Sequence, residues 1–164
     1  MDQAKERDLM MSQFEFARLS DLPDLAEQCA RLNDAEWGDG SAESIEMRIS
    51  SFRRLALAGE NEDVILCLGE KGELAGLCVL IDNELPAYED LSPWLASLIV
   101  APDFRGRGLA LKLIAELESM AKEMGEGELF LHTRYPELYK KAGYAEIETY
   151  ERDGNIHVVM GKAL

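Results

Sequence analysis

The sequence predicts a single mixed α/β domain with a central sheet flanked by helices. Three observations carry that reading. Two stretches of helical periodicity precede residue 60. Two apolar runs follow, joined by a Gly-rich turn. A third apolar run then passes through a Pro and a second Gly-rich turn into a long amphipathic helix. At 164 residues the chain suits one domain, and a chain of that length buries roughly 70% of its unfolded surface without help from disulfides or metal. No repeat or linker offers a boundary, so residues 14–164 read as one domain behind a polar tail, residues 1–13.

The elements follow in order. Residues 14–18 alternate as a short first strand. Ser20 or Asp21 is the expected cap of a helix with Pro23 and Asp24 in its first turn. Leu22, Leu25, Ala26, Cys29 and Leu32 share its inner face, and it is expected to stop near Asn33. A second helix is expected over residues 41–58, with Ile45, Ile49 and Phe52 on one side. Asp63–Leu68 and residues 73–81 form a hairpin about the turn Gly69-Glu70-Lys71-Gly72. An acidic loop follows, and Trp94–Val100 is the third, very apolar strand. The next helix carries Leu113, Ile114 and Leu117 on its buried face. Glu118 and Lys122 are expected as an i,i+4 pair on the opposite face, and Gly125 and Gly127 end the helix.

Charge narrows the partners. Lys and Arg number 17 against 32 Asp and Glu, a net charge of −15. That field disfavours DNA, RNA and anionic membranes. No apolar run approaches the roughly 18 residues of a membrane helix, and the N-terminus has no secretory pattern, so the expected compartment is the cytoplasm. Cys29, Cys67 and Cys78 show neither CxxC spacing nor a nearby His. They read as core thiols, and no metal site is expected.

The most informative segment is Arg105-Gly106-Arg107-Gly108-Leu109-Ala110, at the junction of the third apolar strand and the long helix. The first N–H groups of a helix lack internal partners, and the helix dipole adds positive potential there. Glycines let a phosphate approach the main chain. The two arginines add local positive charge, and Ala110 keeps the approach open. The segment is neither a P-loop nor a dinucleotide GxGxxG.

Arg105-x-x-Gly108-x-Ala110 resembles the acetyl-CoA signature of the GNAT superfamily of N-acetyltransferases. Residues 138–144, LYKKAGY, resemble its late motif. The resemblance runs from about Phe14 to the C-terminus and implies a GNAT-type fold, a mixed sheet splayed between its fourth and fifth strands. It implies that Leu98, Ile99 and Val100 offer main-chain groups to pantetheine and that Arg105, Gly106, Arg107, Gly108, Leu109 and Ala110 hold the pyrophosphate. It also implies an enzyme that moves an acetyl group from acetyl-CoA to an amine by direct attack, with Tyr139 donating a proton to, or hydrogen-bonding, the CoA sulfur.

This chain departs from the family in two places. Many relatives carry a glutamate on the fourth strand, where this chain has Ala96 and Ser97. The candidate bases are therefore a water held by Ser97, Glu84 from the acidic loop, His132 at the end of the following strand or, after these, His157 in the last strand. The asparagine often found after the fifth strand is also absent, and Thr133 is the candidate substitute as a cofactor contact. The expected acceptor is a small amine carrying positive charge, drawn by Asp34, Glu36, Asp39, Glu43, Glu46, Asp82, Glu84, Glu89 and Asp90 and stacked on Trp37. Two alternatives stand beside it: an acyl-CoA-binding sensor without turnover, and a protein N-terminal or lysine acetyltransferase. The tail is a candidate homodimer contact, though nothing in its pattern requires one.

Overall fold

A computed structural model describes residues 2–5 and 13–164; most of the expected tail therefore lies outside the described residues. Seven strands, β1 (Glu15–Arg18), β2 (Asp63–Leu68), β3 (Leu74–Ile81), β4 (Trp94–Val100), β5 (Glu128–Thr133), β6 (Ala145–Arg152) and β7 (Asn155–Ala163), form one sheet. Its order is β1-β2-β3-β4-β5-β7-β6. The helices are α1 (Ala26–Trp37), α2 (Ala42–Leu55), α3 (Leu109–Glu123) and α4 (Glu137–Lys141).

Strand alternation divides the core between the two faces of the sheet. Val64, Leu66, Leu77, Val79 and Ile99 point to one face and bury Ala26, Cys29 and Ala30 of α1 with Phe52 and Leu55 of α2. Ile65, Cys67, Cys78 and Leu80 point to the other face and meet Leu109, Leu113, Ile114, Leu117 and Met120 of α3. All three cysteines are buried free thiols. Burial pushes the Cys67 thiol up to about 11 and Cys29 to about 12, so both stay protonated near neutrality.

Every strand pair is antiparallel except β4–β5, which is parallel and joined at one residue pair, Trp94 with Phe130. Phe130 N donates to Pro93 O at 3.0 Å there. The rings of Trp94 and Phe130 lie 6.0 Å apart and close the vertex. Beyond it the strands separate, which is the splay expected between the fourth and fifth strands. β4 also carries a bulge: Leu98 pairs with Cys78 and Leu95 with Leu80, leaving Ala96 and Ser97 opposite Val79.

Three expectations need correction. The segment at residues 19–25 forms two short 3-10 turns, and the α-helix begins only at Ala26. Ser20 is not its cap. Its N–H and hydroxyl donate instead to the buried Asp63 carboxylate at 3.2 and 2.5 Å. Helix α1 runs on to Trp37 because Asn33 and Asp34 do not terminate it; they are buried, at 6% and 5% exposed. Asp34 accepts from Ser44 Oγ at 2.5 Å, Gly40 N at 3.1 Å and Arg48 Nε at 3.3 Å. The Glu118–Lys122 pair is absent. Glu118 reaches Lys162 Nζ of β7 at 2.9 Å and the Tyr144 hydroxyl at 3.0 Å, because that side of α3 packs on the end of the sheet.

Gly76 sets how closely β3 approaches its neighbours. A Cβ there would lie 2.7 Å from Ile99 O and 3.0 Å from Leu113 Cδ1. Gly76→Ala is expected to destabilise the fold by about 1–3 kcal/mol, the usual cost of overpacking. A denaturation midpoint unchanged from wild type would show that β4 yields without cost.

Candidate functional site

The strand that the resemblance assigns to pantetheine can be read for direction. Ala101 N donates to Ala75 O at 2.8 Å. Antiparallel ladders alternate bonded and non-bonded pairs, so the Leu77–Ile99 pair is bonded while Gly76–Val100 and Cys78–Leu98 are not. Leu98 and Val100 therefore turn their main-chain groups to the open side of β4. Ile99 does not: its backbone joins the β3 ladder, and its side chain is buried at 2% exposed.

The Gly-rich turn leads into α3 with no side-chain cap. Gly106 and Gly108 have φ of 80° and 77°, the left-handed region that favours glycine. A Cβ at either would meet nothing within 4 Å, so the space beside the turn is open. Leu109 is 1% exposed and anchors the turn in the core. Arg105 is less free than its sequence context suggests. Its Nε donates to Val100 O at 3.0 Å, and its guanidinium pairs with Glu36 of α1. Arg107 lies over the Phe104 ring, 5.5 Å from the centroid.

One cavity of about 700 Å³ opens at the β4–β5 split. Ser97, Leu98 and Val100 reach it from β4, and Ala110 from the first turn of α3. Thr133 reaches it from β5, Tyr139 from α4 and Glu84 from the loop after β3. Trp37 and Glu36 of α1 line it as well. Burial, then Cys78, holds the Tyr139 phenol well above its usual range, so it stays protonated at physiological pH. Thr133 Oγ1 accepts from Tyr135 N at 3.0 Å and thereby shapes the turn after β5.

Two polar chains converge on this cavity. On the β5 flank, His132 Nε2 lies 3.4 Å from Glu84 Oε1, and His132 Nδ1 lies 2.8 Å from the Tyr150 hydroxyl. One neutral imidazole satisfies both contacts: Tyr150 O–H donates to Nδ1, and Nε2–H donates to the carboxylate. Partial burial raises the Tyr150 phenol, which favours that donor role. His157 stacks on Tyr150, with centroids 5.0 Å apart and planes at 14°. Partial burial, then His132, lowers the His157 pKa, which favours its neutral form. On the β4 flank, Asn33 Nδ2 donates to Ser97 Oγ at 3.4 Å. Asn33 Oδ1 in turn accepts from Arg48, which is also bonded to Asp34.

Sequence reasoning named Glu84, His132, Ser97 and His157 separately but missed Asn33, Arg48 and Tyr150. Tyr150 and His157 are direct partners across the β6–β7 hairpin. The Asp153-Gly154 turn was the available signal, since its register pairs them. Arg48 had no such local signal. Of the acidic residues expected around the acceptor, Glu36 and Glu84 line the cavity. Asp34 is committed to α2, and Asp82 accepts from Ser92 Oγ at 2.7 Å.

Comparison with known proteins adds to this geometry. The family model described as Acetyltransferase (GNAT) family matches residues 21–144. An uncharacterized N-acetyltransferase of Chlorobaculum tepidum is 28% identical over 134 residues, 80% of this chain and 74% of that protein. The spermidine N-acetyltransferase of Vibrio cholerae superposes with a TM-score of 0.69 at 18% identity, covering 93% of this chain and 94% of that one. An aminoglycoside 6'-N-acetyltransferase complexed with coenzyme A superposes with a TM-score of 0.70 at 16% identity, covering 91% and 96%. Among the described residues, no helix is long and apolar enough to cross a membrane.

Proposed function

The chain belongs to the GNAT acetyltransferase family, an acyltransferase family, and from that premise we propose that it moves the acetyl group of acetyl-CoA onto the primary amine of a small acceptor. One observation carries the proposal. A single cavity joins the first turn of α3, through Ala110, to the Glu84–His132 pair, with Tyr139 on its wall. Two proteins of similar fold are named for small acceptors, a polyamine and an aminoglycoside.

The chain's residues divide the work. The uncapped N–H groups at Gly108, Leu109 and Ala110 suit the pyrophosphate, helped by Arg107. Leu98 and Val100 suit the pantetheine amides along the open edge of β4. The acceptor enters as an ammonium ion and gives one proton to Glu84. Its nitrogen lone pair forms the bond to the acetyl carbon. The tetrahedral nitrogen gives its second proton to water and the C–S bond breaks, with the electron pair leaving on sulfur. The thiolate is later protonated, so each turnover releases one net proton. Ser97 Oγ, held by Asn33, is placed to hold a water on the β4 side of the reacting carbon.

Tyr139 acts on the leaving sulfur. A phenol raised above its usual pKa is a weaker acid than a thiol. It therefore stabilises the thiolate through a hydrogen bond and keeps its own proton. Tyr139→Phe is expected to lower kcat by about tenfold, by a constant factor from pH 6 to 9 because the phenol does not titrate there. An unchanged kcat would remove Tyr139 from the reaction. The reading as a whole is tested by acetyl-CoA-dependent thiol release across a panel of amines. Binding of coenzyme A without release for any amine would favour the sensor alternative.

A further inference from the structure

The charges around the cavity do not follow the acidity of the chain. Glu36 is already paired with Arg105 and Asp34 with Arg48. Among the described residues, Glu84 is the cavity-lining carboxylate bonded to no arginine; its partner is His132. Two guanidinium groups, Arg48 and Arg134, line the same space. With those pairs balanced, a polyamine would bring several positive charges to a cavity that offers one further carboxylate, Glu84, and one further arginine, Arg134, bonded to the neutral Asn155.

Arg48 is built as an anchor. Its side chain is 21% exposed and is gripped on two sides, by Asp34 Oδ1 at Nε and by Asn33 Oδ1 at Nη1. A guanidinium has five N–H donors in a rigid fork. These two contacts leave donors over, and the group borders the cavity. Asn33 ties it through Ser97 to the β4 flank, while His132 holds Glu84 on the β5 flank. A planar donor set fixed in place is the usual receptor for a carboxylate, which it binds bidentately.

We infer that the acceptor carries a carboxylate as well as its amine: an amino-acid-like zwitterion, with its carboxylate on Arg48 and its ammonium at Glu84. This deepens the amine-acetylation reading and rests on it for the acceptor's role.

Product binding reads the anchor without turnover and without differences in amine basicity. In the presence of coenzyme A, titration calorimetry would compare N-acetylated amino acids of small, large and aromatic side chain, each with its own methyl ester, and N-acetylspermidine. At least one acid is expected to bind about tenfold or more tightly than its ester, the scale of a lost charge-assisted pair. If every acid binds within threefold of its ester, or if N-acetylspermidine binds tighter than all of them, the proposal is overturned. Arg48→Lys keeps a cation beside Asp34 but loses the fork. It is expected to erase the acid-over-ester preference with coenzyme A affinity unchanged, and a preference that survives removes Arg48 as the anchor. The wild-type comparison stands even if that variant fails to fold. Thiol release separates the two readings. Amines acetylated with no advantage for acids would sink the zwitterion alone, whereas an acid preference with no thiol release from any amine would sink the enzyme reading and leave the anchor.

Discussion

Glu84→Gln is expected to lower kcat by about 100-fold at pH 7 while the KM for acetyl-CoA stays within about twofold, the pattern of a lost general base. The substitution keeps the shape of the side chain. The Gln carbonyl oxygen can still accept from His132 Nε2–H, so the contact now at 3.4 Å need not be lost. An amide cannot take a proton from the incoming ammonium. The variant then depends on free amine already present in solution. Below the pKa of an aliphatic amine, about 10, that fraction rises about tenfold per pH unit. The deficit of the variant should therefore shrink as pH rises from 7 to 9. A structural defect would give a deficit that does not shrink. A kcat within twofold of wild type at pH 7 would move the base elsewhere, first to a water held by Ser97.

The parts of this site carried by contiguous residues were legible in the sequence. Gly106 and Gly108 need their positive φ for reasons local to one turn, and Tyr139 sits in a five-residue helix with its motif intact. The parts that depend on distant pairing were not. Asn33 and Asp34 look like a helix end until Arg48, on another helix, gives their side chains partners. Glu118 looks solvent-facing until β7 brings Lys162 beside it, 44 residues on. The direction of the Ile99 backbone depends on the phase of the β3–β4 ladder, which apolar run length does not encode. Glu84 and His132 stood as rival bases in the sequence. The fold joins them across 48 residues into one unit, with Tyr150 setting the imidazole tautomer. The acidic residues misled in a different way. Their number was correct, but Asp34 and Glu36 are each paired with an arginine, so their charge is already balanced inside the protein.

Gly108→Asp separates the fold from cofactor binding more sharply than any change in the cavity. The residue is the N-cap of α3, with φ 77° and ψ 14° and no side-chain cap in place. Asp tolerates the left-handed region better than most residues and is among the preferred N-caps. Its Cβ has open space within 4 Å. The cost to stability should be about 1 kcal/mol or less. Cofactor binding faces the opposite balance. The new carboxylate would occupy the positive end of the helix dipole, compete for the first-turn N–H groups and repel a pyrophosphate. The KM for acetyl-CoA is expected to rise by about 100-fold, near 2.7 kcal/mol, with the thermal midpoint close to that of wild type. Raising the salt concentration should recover part of the loss, because the repulsion at this exposed turn is screened. S-acetyl-pantetheine supplies the decisive comparison. It carries the thioester and the amide arm without a phosphate, so wild type and variant should use it equally well. If the variant loses activity toward that donor too, Gly108 matters to the arm or to the fold. If KM for acetyl-CoA rises less than threefold, the pyrophosphate lies somewhere other than the start of α3.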